Sequence, residues 1–127
     1  MNLVTPLNRA LGLGSAKGGV EHWWVQRVSA AALALLGLWF AISIASLDDY
    51  AYATVVAWIQ QPATSVLLIL TALTASYHSY LGVQVVIEDY VHGGAKVVLL
   101  TLSTFVHAAI AIAALFAVLK IAFAPAP

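Results

Sequence analysis

Val28-Ser-Ala-Ala-Ala-Leu-Ala-Leu-Leu-Gly37-Leu-Trp-Phe-Ala-Ile-Ser-Ile-Ala-Ser-Leu47 contains no charged side chain, and it is bounded by Arg27 before it and Asp48-Asp49 after it. About 20 apolar residues in an α-helix cross the hydrocarbon of a bilayer. This run therefore predicts a membrane-spanning helix, and everything else in the chain is read outward from it. Downstream, a segment rich in aromatic residues (Tyr50, Tyr52, Trp58) ends at Pro62. A second apolar run then extends from Thr64 to about Ile87, Gly93-Gly94 interrupts the chain, and a third run goes from Val97 to about Phe123 before Pro125 and Pro127. The expected architecture is an all-α integral membrane fold with three transmembrane helices, at about 28–47, 64–87 and 97–123. The chain forms one domain, 1–127, with residues 1–27 as an N-terminal cytoplasmic segment.

Composition agrees. Of 127 residues 63% are hydrophobic and only 8% charged, which is too little polar surface to enclose a soluble core. The lengths leave no room for a soluble catalytic domain beside three spans, so the chain reads as a subunit. Five basic and five acidic residues cancel, and no basic stripe suits a phosphate backbone, which argues against nucleic acid as a partner. With no cysteine, disulfides, thiolate-held iron–sulfur clusters and a covalently attached c-type haem are excluded, so a metal centre would have to use histidine. Met1 to Val20 carries Arg9 and Lys17 but no apolar h-region, which does not support a cleaved signal peptide.

Positive residues near span ends stay on the cytoplasmic side. Arg9, Lys17 and Arg27 precede the first span, and the loop from Asp48 to Ala63 has no basic residue. The loop from Glu88 to Lys96 has one, and Lys120, at the far end, has a stem long enough to snorkel. The N-terminus is expected in the cytoplasm and the C-terminus in the periplasm. Trp23 and Trp24 beside Arg27 suit an aromatic belt at one interface, and Tyr50, Tyr52 and Trp58 at the other.

The second run carries most of the polar residues: Thr71, Thr74, Ser76, Tyr77, His78, Ser79, Tyr80 and Gln84. His78 falls about nine residues from the run's cytoplasmic end, roughly 13 Å deep. An ionisable side chain there needs a partner and marks a functional site by default. A neutral imidazole is also an ordinary axial ligand for haem iron. Gly82, one turn on, leaves room for a flat macrocycle against the backbone. The competing reading is a histidine that hydrogen-bonds a neighbouring helix, with Gly82 allowing close packing. His107 lies at nearly the same depth in the third run. It is either a second ligand, making a self-contained bis-histidine carrier, or an interhelical hydrogen-bonding residue. At the cytoplasmic end of the second run, Glu88-Asp89-Tyr90 precedes His92. A tyrosine hydroxyl there can meet a quinone carbonyl beside a carboxylate, or the cluster is ordinary interfacial composition. Arg27 is either a positive-inside anchor or a fork for a cofactor carboxylate.

The segment His78-Ser-Tyr-Leu-Gly82-Val-Gln84-Val-Val-Ile-Glu-Asp89-Tyr90 resembles the H-x-x-x-G-x-Q-x-x-x-x-D-Y pattern of the succinate dehydrogenase hydrophobic membrane anchor subunit of respiratory complex II. Gly12-Leu-Gly-Ser15-Ala-Lys17-Gly-Gly19-Val-Glu-His22-Trp-Trp-Val-Gln26-Arg27-Val-Ser29 is similar to the stretch leading into the first helix of alphaproteobacterial and mitochondrial-type members. The resemblance implies that His78 is one axial ligand of a haem b (the iron's other ligand coming from the cytochrome b subunit), which leaves His107 unnecessary for iron. It implies that Tyr90 hydrogen-bonds ubiquinone with Asp89 beside it, and that Arg27 lies near the haem propionates. Tyr80 and Val83 depart from the aromatic positions of some members, within the region of the quinone pocket. The implied setting is a multi-pass subunit of the inner membrane. It would work in electron transport and the tricarboxylic acid cycle with the cytochrome b, iron–sulfur and flavoprotein subunits. A third possibility, from composition alone, is a purely structural membrane subunit.

Overall fold

A computed structural model describes Leu7 and residues 19–125. Arg9, Lys17 and the glycine-rich stretch before Gly19 lie outside the described residues. Four helices follow in order: α1 (Gly19–Ala45), α2 (Tyr52–Gln60), α3 (Pro62–Tyr90) and α4 (Gly94–Ala122). Three of them, α1, α3 and α4, are long and apolar enough to cross a membrane. They carry apolar side chains all round, and among the described residues none of the large side chains is fully buried. Such helices depend on lipid or on partner helices as their surroundings.

The helices outrun the apolar runs. α1 begins at Gly19, so residues 19–27, expected as part of a separate cytoplasmic segment, are its opening turns. Glu21 in the first turn favours the N-terminal end of the helix dipole. The helix ends at Ala45, where Ser46 Oγ turns back to Ile42 O at 2.7 Å and the Asp48-Asp49 pair follows. α3 and α4 each contain 29 residues, roughly 43 Å of helix. A hydrocarbon core of about 30 Å leaves each about two turns in the interfaces. Apolar-run limits mark the hydrocarbon; helix limits are set by where the backbone is stopped.

Pro62 begins α3 at a first-turn position, where its missing N–H breaks no ladder bond. At the other end Val91 is extended, Gly93 adopts φ +66°, and Lys96 N–H bonds Gly93 O at 3.2 Å. The positive φ favours glycine, so the break read at Gly93-Gly94 is a tight connection that returns α4 along α3. α3 is the central helix: it packs against α4 on one side and α1 on another, while the backbones of α1 and α4 make no close approach.

The connection between the first two spans, a loop by its sequence, contains a helix. In α2, Ala51 N–H bonds Asp49 Oδ1 at 3.0 Å, and Val55 N–H bonds Ala51 O to open the first turn. Trp58, expected at the interface, is instead 8% exposed. Its Nε1–H donates to Ser43 Oγ at 2.9 Å, and its ring stacks on Trp39 at 6.4 Å. Tyr50 and Tyr52 are exposed, as an aromatic belt requires. Gln60 Nε2 donates to Ile121 O and Ala124 O at the C-terminus of α4. The end of α1, all of α2, the start of α3 and the end of α4 thus share one end of the bundle. The α3–α4 connection lies at the other.

Candidate functional site

His78 lies in the middle third of α3, on the side that meets α1. Its Nδ1 is 2.9 Å from Ser29 Oγ of α1, and the same hydroxyl is 3.0 Å from Gln26 O. Ser29 is 6% exposed. Among the described residues His78 Nε2 has no hydrogen-bond partner. One turn on, a Cβ added at Gly82 would be in ordinary van der Waals contact with Gln26 Nε2, at 3.9 Å, so this part of α3 lies against α1 without crowding. On the same stretch of α1, His22 Nε2 and Gln26 Oε1 are buried with no partner among the described residues. Unpaired polar atoms at a helix interface are costly and mark a place for a polar group. Glu21, His22 and Val25 of α1 form a shallow groove with Tyr77 and Leu81 of α3.

His107 sits on a different side of α3. Its Nδ1–H donates to Ser103 O at 2.8 Å, and Ser79 Oγ is 3.2 Å from Nε2. Ser76 Oγ donates to His107 O at 2.8 Å, and the Tyr80 ring meets the imidazole edge-on at 5.9 Å. Both ring nitrogens are engaged, and the residue acts as a clamp between α3 and α4. The structure does not bring His78 and His107 to a common centre: the first hydrogen-bonds α1, the second Ser79 and Ser103. A cavity of about 260 Å³ opens beside the clamp, lined by Leu73, Tyr77, Thr104 and Ala111 among others. Among the described residues no three His, Cys, Asp or Glu side chains come together as a metal-binding cluster.

The remaining candidates lie near the other ends of these helices. Tyr90 is the last residue of α3 and 80% exposed, with Asp89 beside it also exposed. Gln84 Nε2 donates to Glu88 Oε1 at 2.9 Å, and Lys96 Nζ donates to Glu88 O at 3.2 Å. Arg27 is exposed, its guanidinium 5.6 Å from the centre of the Trp23 ring, a cation–π arrangement suited to an interface. Arg27 lies two residues before Ser29 on α1, toward the same end of the bundle as Tyr90.

Sequence reading singled out His78 but missed the serine that holds it. Ser29 is 49 positions away and looks like any small residue of an apolar helix. In the sequence Ser76 and Ser79 are only polar residues of the second run, since nothing in spacing along one helix tells which neighbour each will face.

Comparison with known proteins identifies the family of the chain. The family model described as succinate dehydrogenase/fumarate reductase transmembrane subunit matches residues 1–119. A succinate dehydrogenase hydrophobic membrane anchor subunit of Paracoccus denitrificans is 30% identical over 120 residues, covering 94% of this chain and 93% of that protein. One from Rickettsia bellii is 37% identical over 87 residues, 65% of this chain and 66% of that protein. A succinate dehydrogenase membrane anchor subunit of Reclinomonas americana is 32% identical over 80 residues, 61% of this chain and 67% of that protein. No solved structure matches the chain significantly. The chain belongs to the succinate dehydrogenase/fumarate reductase transmembrane subunit family, among the membrane anchor subunits of succinate dehydrogenase, an oxidoreductase complex.

Proposed function

We propose that this anchor shares a haem b with a cytochrome b subunit and forms part of the site where electrons from succinate reach ubiquinone. The observation that carries the reading is the setting of His78. It is a mid-helix imidazole with one nitrogen held and the other without a partner among the described residues, close to Gly82 and to polar atoms of α1 that likewise have no partner among the described residues. That donor chemistry fits one axial bond to a haem whose second ligand comes from another chain. Haem b, when bound, would supply one-electron storage near the quinone.

The residues of this chain have separate tasks. His78 would give the axial nitrogen. Arg27, at the mouth of the same helix interface, would pair with a propionate through its planar fork. Tyr90 would donate its hydroxyl to a quinone carbonyl as negative charge develops there, with Asp89 beside it to orient donors or pass protons. Without cysteine the chain has no thiolate to hold an iron–sulfur cluster, and succinate chemistry would belong to the flavoprotein and iron–sulfur subunits it anchors. Its setting is the inner membrane, with the N-terminus cytoplasmic and the C-terminus periplasmic, which puts Tyr90 on the cytoplasmic side.

A reduced-minus-oxidised optical spectrum of the complex purified through this chain tests the reading. A b-type signal is expected in the wild type, lost or strongly shifted in His78→Ala and retained in His107→Ala. Equal loss in both variants would favour a self-contained carrier, and no haem in the wild type would leave a structural subunit.

A further inference from the structure

The hydroxyl of Ser29 has one proton and two close neighbours, Gln26 O at 3.0 Å and His78 Nδ1 at 2.9 Å. A backbone carbonyl only accepts. Both contacts are hydrogen bonds at once only if Ser29 donates to Gln26 O and His78 Nδ1 carries a proton that it donates to Ser29 Oγ. A neutral imidazole protonated at Nδ1 has its lone pair at Nε2, the nitrogen without a partner among the described residues.

We infer that Ser29 is a positioning residue that fixes the tautomer and ring orientation of His78, so that Nε2 is the nitrogen offered to an axial metal. The inference concerns α1's hold on α3, and its link to a metal rests on the haem reading above. Three features make the hold firm. Ser29 is almost wholly buried, so water does not compete for Nδ1. Its hydroxyl is anchored by a bond back to its own helix, which leaves the oxygen's lone pairs directed outward. The Gln26–Ser29 turn belongs to continuous helix in α1, which keeps the acceptor at constant height beside α3. Partners of this kind on a ligating histidine set its tautomer and raise its basicity, and losing one costs about 10-fold to 100-fold in metal affinity.

Ser29→Ala removes the acceptor; Ser29→Thr keeps it. Two measurements on the whole complex separate the proposal from the reading it rests on. In haem-depleted complex labelled with ¹⁵N-histidine, the His78 ring is expected to show a protonated Nδ1 and a bare Nε2 in wild type and Ser29→Thr, and mixed tautomers in Ser29→Ala. In haem-loaded complex, Ser29→Ala is expected to raise the haem midpoint potential, because a less basic imidazole stabilises ferric iron less. The low-spin electron paramagnetic resonance signal should shift too, and haem affinity fall by about 10-fold to 100-fold, with Ser29→Thr restoring all three. A wild-type His78 protonated at Nε2, or a tautomer and potential unmoved in Ser29→Ala, would overturn the positioning role while leaving the haem reading intact. If the wild-type complex holds no haem, that reading falls, and the nitrogen spectra still decide what Ser29 does to His78.

Discussion

Two histidines at one depth have different chemical prospects because of what their nitrogens touch. His107 has both occupied: Nδ1–H donates to its own helix, and the Nε2 lone pair already accepts from the Ser79 hydroxyl, so the residue serves packing between α3 and α4. His78 has one nitrogen held and one without a partner among the described residues. A count of residues along each run puts the two side by side and cannot separate them; the serines facing them do. Tyr90 is a simpler case. It is 80% exposed and at the last position of α3, so replacing it disturbs little of the fold. Tyr90→Phe removes only a hydroxyl, and a neutral hydrogen bond to a substrate is worth about 1 kcal/mol, rising where charge develops. We expect succinate-driven ubiquinone reduction to fall about tenfold or more, while electron delivery from succinate to a soluble dye stays unchanged. Equal loss of both activities would move Tyr90 from quinone contact to assembly.

At the scale of elements, α2 shows why some of the fold was not legible. Ala53, Thr54, Val55 and Val56 have modest helix propensity as a group, and nine residues are too few to form a stable isolated helix. The segment is helical because Val56 and Trp58 are buried against the bundle and Gln60 reaches α4. Those contacts are tertiary, and nine residues are too short a window for the spacing of Val55, Val56, Trp58 and Ile59 to decide for helix. The three long helices were legible because in lipid every backbone group must be satisfied within the segment, and an uncharged run of sufficient length has one solution. Their ends were less so, since Glu21 and Asp89 are as compatible with helix as with loop in the interface. α2 also has a pH-sensitive start. Hydrogen bonds from the Thr54 side chain and from Ala51 N–H hold the Asp49 carboxyl below its ordinary value of 3.8. A depressed folded-state pKa means that this contribution is present above pH 3.8 and is lost as the pH falls through the folded value. Amide hydrogen exchange at Ala51 is expected to accelerate below that pH relative to the protein-wide trend, and Asp49→Ala should show the faster exchange already at pH 6.

For the molecule as a whole, the arrangement of ends is fixed by the bundle even though the direction of insertion is not. α2, the start of α3 and the end of α4 are tied together by Gln60, whereas the α3–α4 connection at Gly93 lies at the opposite end. Tyr52 and Phe123 are therefore on one side of the membrane and Ala95 on the other. In the orientation proposed from the Lys and Arg asymmetry, the Ala95 side would face the cytoplasm, the side on which Tyr90 and Asp89 would meet quinone. The chain contains no cysteine, so single substitutions give a clean background for a membrane-impermeant thiol reagent. Tyr52→Cys and Phe123→Cys, both at exposed positions, are expected to label from the periplasmic side of intact cells, and Ala95→Cys only after the membrane is opened. Labelling of Ala95→Cys alone in intact cells would invert the topology and carry Tyr90 with it to the periplasmic face. Labelling of Tyr52→Cys and Phe123→Cys from opposite sides would contradict the bundle itself, because the Gln60 clasp cannot form across a bilayer.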